Sequence, residues 1–150
     1  MSMGTPAFVE LPVSEHVRSQ GIAARQFRWG PFTLWEGRGA TDWRLQLTSF
    51  DVNPAVDEAV ASRQELADGN FWTEVAQHLV GMKAPGLAGG LVYEPESDMF
   101  EAIGERNALL ELSQLMWPVV VDPLAATDQV AELGALRSAK NTKSVDKQGE

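Results

Sequence analysis

The sequence predicts a single-domain α+β fold, a short antiparallel sheet of about four to five strands packed against three to four helices. Three observations carry that prediction. Trp43, Leu45 and Leu47 alternate with Arg44, Gln46 and Thr48, the period of two that marks a half-buried antiparallel strand. Trp72, Val75, Ala76, Leu79 and Val80 recur at helical spacing and form one apolar stripe. The length of 150 residues suits one domain, and such a chain buries roughly 70% of its unfolded surface.

The elements follow in order. Residues 1–26 are weakly patterned and read as a partly mobile arm. Within them Phe8 to Val13 suits an edge strand, since Pro12 is tolerated only at an edge or a strand end. Residues 27–136 form the folded domain. Arg25 to Glu36 is rich in strand formers, with Gly30-Pro31 marking a bulge or tight turn between Trp29 and Phe32. Gly37 to Ala40 is a turn before the alternating strand at Trp43. Asn53-Pro54 opens a helix, because Asn caps free amides and Pro lacks the N–H that would go unused there. This helix is expected to stop near Asp68-Gly69. Asn70 is the expected cap of the next helix, which ends between Gly81 and Pro85. Leu87 to Gly90 is a loop. Leu91–Glu94 and Met99–Ile103 read as two strands around the turn Pro95-Glu96-Ser97-Asp98. A third helix runs from about Arg106, with Ala108, Leu109, Leu112, Leu115, Met116 and Val119 on its buried face and Pro118 expected to kink or end it. Asp122-Pro123 starts a short fourth helix over Leu124 to Leu136, weakened by Gly134. Residues 137–150 are polar and basic and read as a disordered tail.

The net charge is -9 and unevenly spread. Glu10 and Glu15 face three arginines in residues 1–28, and the last fourteen residues are net basic, so the middle of the chain is more acidic than the total. That balance disfavours nucleic acid or an anionic membrane as partner and favours fast encounter with a basic protein. No cysteine is present, which removes disulfides and cysteine-based zinc sites. No apolar window is long enough for a transmembrane helix, and no basic n-region precedes an apolar run at the start, so a cytoplasmic location is expected.

Chemistry is harder to find. The two histidines, His16 and His78, lack a neighbouring nucleophile context. Gly37-Arg38-Gly39 has no third glycine, and Gly86 to Gly90 is not followed by Lys-Ser or Lys-Thr, so neither reads as a phosphate loop. Glu94, Glu96, Asp98 and Glu101 cluster in sequence, but their spacing fits no EF-hand loop. No cofactor, metal or catalytic group is expected, and the chain is not expected to be an enzyme. Trp43 and Trp72 read as core, while Trp29, Trp35 and Trp117 suit either core or contact roles. What remains is an acidic hairpin tip flanked by aromatics. Tyr93, Glu94, Glu96, Asp98, Phe100 and Glu101 are the candidate interface, with Glu94 and Glu96 in solvent while Tyr93 packs.

Several motifs of the central stretch stand together: Gly69-Asn70-Phe71-Trp72 opening a helix, Ala84-Pro85-Gly86-Leu87, Val92-Tyr93-Glu94-Pro95-Glu96-Ser97-Asp98-Met99-Phe100, and Arg106-Asn107-Ala108-Leu109-Leu110-Glu111-Leu112. Over about residues 42–117 this pattern resembles immunity protein family 51 of bacterial polymorphic toxin systems. The turn resembles that family's "FDPEAGMF"-like segment and the last motif its closing "D-K/R-x-A-L-x-x-L" helix. The chain departs from the family in having Tyr-Glu for Phe-Asp and Ser-Asp for the small pair before Met. The resemblance implies a non-enzymatic protein, a monomer or weak dimer, that binds a cognate toxin and occludes its active site. The alternatives are an adaptor or chaperone for a secreted effector, and a small metal-binding protein.

Overall fold

The structure, a computed structural model, describes residues 8–12, 25–48, 53–61 and 68–148. Expectations for the rest of the N-terminal arm, including His16, and for the segment 62–67 lie outside the described residues.

Six strands form one antiparallel sheet: β1 Val9–Leu11, β2 Gln26–Trp29, β3 Phe32–Trp35, β4 Trp43–Leu47, β5 Val92–Tyr93 and β6 Phe100–Gly104, in the order β1-β2-β3-β4-β6-β5. Four α-helices are described: α1 Pro54–Ala61, α2 Gly69–Lys83, α3 Arg106–Val121 and α4 Pro123–Gln148, with a 3-10 segment at Pro85–Gly90. The α+β class is as the sequence indicates, with one strand more than expected. The expected edge strand around Phe8 to Val13 is β1, and it takes the predicted edge position.

Alternation decides the two faces of the sheet. On one face Phe32, Leu34, Leu45, Leu47, Phe100 and Ala102 are all but inaccessible to solvent. Helices α2 and α3 lie against these residues, and α4 packs on α1 and α3. Trp72, Val75, Leu109, Leu112 and Met116 complete the core from the helix side. Trp43 and Trp72 are buried, as their spacing implies. Trp29 stacks on Trp117 of α3, with ring centroids 4.0 Å apart, which ties the β2–β3 hairpin to the helix layer.

That hairpin turns on two residues. Gly30 takes φ 59 and Pro31 cannot follow it into positive φ, so the turn is of the type II′ kind. A side chain at Gly30 would also meet the Trp117 ring at 2.7 Å. The glycine therefore serves both the turn and the stacking.

Several boundaries differ from the sequence reading, each for a local reason. Asp68, not Asn70, caps α2: its carboxylate accepts from the Phe71 amide at 3.0 Å, so the helix starts at Gly69. Leu87 to Gly90 belongs to a 3-10 segment that Pro85 starts. Pro118 does not end α3, which continues to Val121 because the Asp122 amide still reaches the Pro118 carbonyl at 2.8 Å. Helix α4 runs through Gly134 to Gln148, beyond the expected stop at Leu136 and into the stretch read as a tail. Asn53 does cap α1 and is itself buried. Its Oδ1 accepts from the Ala55 amide, and its Nδ2 donates to the carbonyls of Val119 and Asp122 where α3 meets α4.

Candidate functional site

The acidic turn is built on the β5–β6 hairpin. Register pairs Val92 with Ile103 and Tyr93 with Ala102, and the hairpin continues as the Glu94 amide donates to the Glu101 carbonyl at 3.0 Å. Glu96 and Met99 then exchange backbone hydrogen bonds of 2.8 and 3.2 Å around Ser97-Asp98.

Helix α2 fixes this turn from below. The Gly69 amide donates to the Ser97 carbonyl at 3.3 Å. A Cβ at position 69 would stand 1.9 Å from the Glu96 carbonyl oxygen and 2.3 Å from that of Met99. Only glycine allows this approach. At the other end of β6, Gly104 also comes close to a carbonyl, that of Gly90, 2.6 Å from where its Cβ would stand. Two of the sequence motifs, the one opening at Gly69 and the one that carries the turn, therefore touch at a glycine contact.

The six candidate interface residues divide between two faces and the tip. Phe100 is fully buried on the helix side, and its ring lies 6.3 Å from that of half-buried Tyr93. Burial pushes the Tyr93 phenol above its usual pKa. Glu96 and Asp98 are exposed at the tip, and Glu94 keeps 60% of its side-chain accessibility. Glu101 points to the opposite face and is only 5% exposed. The expected acidic, aromatic-studded face is not one continuous surface. Strand alternation sends the aromatics to the core and leaves the three outer carboxylates on the turn.

The sheet face away from the helices carries the groups that sequence reasoning missed. The register lines up Val9, Arg28, Thr33, Gln46 and Glu101 in one row, and Leu11, Gln26, Trp35, Arg44, Ile103 and Val92 in the next. At its centre is a hydrogen-bonded network. Arg44 Nη1 donates to Glu101 Oε1 and Gln46 Nε2 donates to Oε2, each at 2.6 Å. The Trp35 indole N–H donates to Gln46 Oε1 at 2.9 Å. A carboxylate this buried is costly unless its lone pairs are met, and here both oxygens are used. Arg44 also lies 3.8 Å from Glu94, which links the network to the hairpin. The alternation in β4 already placed Arg44 and Gln46 on one face; their meeting with a carboxylate 55 or more positions away had no local signal.

Beside the network is an open cleft of about 360 Å³, lined by Trp35, Glu36, Arg38, Asp42, Arg44 and Gln46. Asp42 closes the loop below it by accepting from the amides of Arg38 and Gly39 at 3.1 and 2.6 Å. Glu36 Oε2 accepts two bonds from Arg25, at 2.6 and 2.9 Å, and this hydrogen bond raises the arginine's pKa further. On the helix side, a smaller groove of about 250 Å³ holds His78, whose Nε2 lies 2.9 Å from Glu132 Oε2. Among the described residues no three His, Asp or Glu side chains converge as a metal site requires, and no single helix is long and apolar enough to cross a membrane.

No protein family, curated protein or solved structure matches the chain.

Proposed function

We propose that the protein is an immunity-type binding protein that neutralises a cognate bacterial toxin by occluding its active site, and that it performs no reaction itself. The observation that carries this reading is the β5–β6 turn. Glu94, Glu96 and Asp98 are exposed on a backbone that packs directly against Gly69, whose amide donates to the Ser97 carbonyl. A preorganised acidic projection loses little conformational freedom on docking, so more of its interaction energy appears as affinity. A toxin that handles nucleic acid needs a basic cleft, and such a cleft is complementary to this turn. The family resemblance of the residues around the turn points the same way, as does the net charge of -9.

The test is co-expression with the toxin domain that this reading expects to be encoded beside the chain. The wild-type chain is expected to restore growth and to co-purify with the toxin. The triple variant E94K/E96K/D98K is expected to fold normally and bind at least about tenfold more weakly. Cells that die equally with and without the chain overturn the proposal. Binding confined to a delivery segment, with no protection against the toxin domain, identifies an effector adaptor instead.

A further inference from the structure

The cleft at the end of the open sheet face combines an aromatic wall with acceptors already in place. Trp35 forms the wall, and its hydrogen bond to Gln46 fixes the indole's orientation. Gln46 is in turn fixed by the buried Glu101. The ring thus belongs to a rigid network rather than to a free surface side chain. Each oxygen of Asp42 accepts one backbone amide, which leaves each a second lone pair. Both Arg25 bonds fall on Glu36 Oε2, so among the described residues Oε1 of that carboxylate has no hydrogen-bond partner.

Charge decides what fits. The carboxylates of the cleft and its ion-pair partners are Glu36, Asp42, Glu94 and Glu101, and the guanidiniums are Arg25, Arg38 and Arg44. An anion entering here would compete with two carboxylates for Arg44 and add a further negative charge. A cation would meet a small local excess of negative charge within a strongly acidic chain. Shape selects among cations. A planar guanidinium stacks on an indole and forks onto carboxylates, whereas an ammonium does neither as well. The protein already uses this arrangement internally: Arg25 forks onto Glu36 while its guanidinium lies 5.4 Å from the Phe27 ring centroid.

From this geometry we infer that the cleft is a receptor for one arginine side chain of a protein partner, stacked on Trp35 and held by Asp42 and Glu36. It deepens the proposed function, because it gives the basic partner a second, aromatic anchor beside the acidic turn, which Arg44 joins to the cleft through Glu94. Anchors of this kind carry much of the energy of an interface.

The experiment needs no toxin, so its outcome is separable from that of the co-expression test. The protein is labelled with nitrogen-15 and titrated with N-acetyl-arginine amide, with N-acetyl-lysine amide and benzoate as comparison probes. The indole N–H signals of the five tryptophans are followed, and Trp35→Phe assigns the relevant one. The arginine probe is expected to shift the Trp35 signal with millimolar affinity, at least about threefold tighter than the lysine probe, while benzoate leaves it in place. Glu36→Gln, which keeps a carbonyl acceptor for Arg25 but removes the charge, is expected to weaken the arginine probe about threefold or more. No shift of that signal up to about 100 mM probe overturns the inference. So does equal binding of the lysine probe, or a response to benzoate instead. If the probe binds and co-expression gives no protection, the cleft stands and the toxin reading falls; the reverse result leaves the turn as the binding surface.

Discussion

Tyr93 and Glu101 stand nearly opposite each other on one hairpin and face different environments. Tyr93 lies against Phe100, and burial of the phenol raises its pKa. The fold thus favours the neutral ring. Its contribution to stability is fully present below the unfolded-state pKa of about 10 and is lost as pH rises through the higher folded value. Denaturation midpoints measured from about pH 9 to 11 should therefore fall more steeply for the wild-type chain than for Tyr93→Phe. As this is the single tyrosine in the chain, its ionisation can also be followed directly by ultraviolet absorbance. The alternation Tyr93-Glu94 and Phe100-Glu101 was legible in the sequence, including the packing of Tyr93 with Glu94 and Glu96 in solvent. The burial of Glu101 was not. Its partners Arg44 and Gln46 come from β4, and pairing between distant strands leaves no mark on local composition.

At the scale of elements, the strands and helices were readable because period and punctuation agree. Asn53-Pro54, Asp122-Pro123 and Gly30-Pro31 each mark a boundary that the structure keeps. The errors arose where two signals competed. Asn70 and Asp68 are both good caps, and the choice between them depends on the docking of Gly69 beneath the turn. Taken alone, Pro118 is expected to kink or end the helix; it does not end it, and the helix continues to Val121 with Met116, Val119 and Val120 all buried. The junction between α2 and the hairpin makes a sharp prediction. Gly69→Ala places a methyl group against two backbone carbonyls that cannot rotate away, and should cost about 3 kcal/mol or more. Urea denaturation measures that loss. Gly86→Ala, at a glycine with open space around it, serves as the comparison and should change stability far less.

For the whole molecule, the dominant fact is the separation of apolar from charged surface. One sheet face and the inner sides of the helices hold the core, while the other sheet face carries the Arg44–Glu101 network and the hairpin tip its exposed carboxylates. Composition revealed the acidic character but not this division, which depends on sheet order and register. Long-range attraction of a basic partner by such a surface is screened by salt. Raising ionic strength from about 0.1 M to 1 M shortens the screening length from about 10 Å to 3 Å. The association rate with the basic partner proposed above should fall on the order of tenfold or more over that range, as stopped-flow fluorescence would read. Dissociation should change much less, since close contacts are screened less than distant ones.

The outermost strands carry one more consequence. β1 spans three residues and is followed by Pro12, and β5 spans two and is followed at one remove by Pro95. Among the described residues neither margin offers a run of unpaired amides long enough to template another chain, and proline has no amide N–H to give. Short edge strands punctuated by proline are poor templates, so copies of this chain crowded together would resist edge-to-edge polymerisation into fibrils through these two strands.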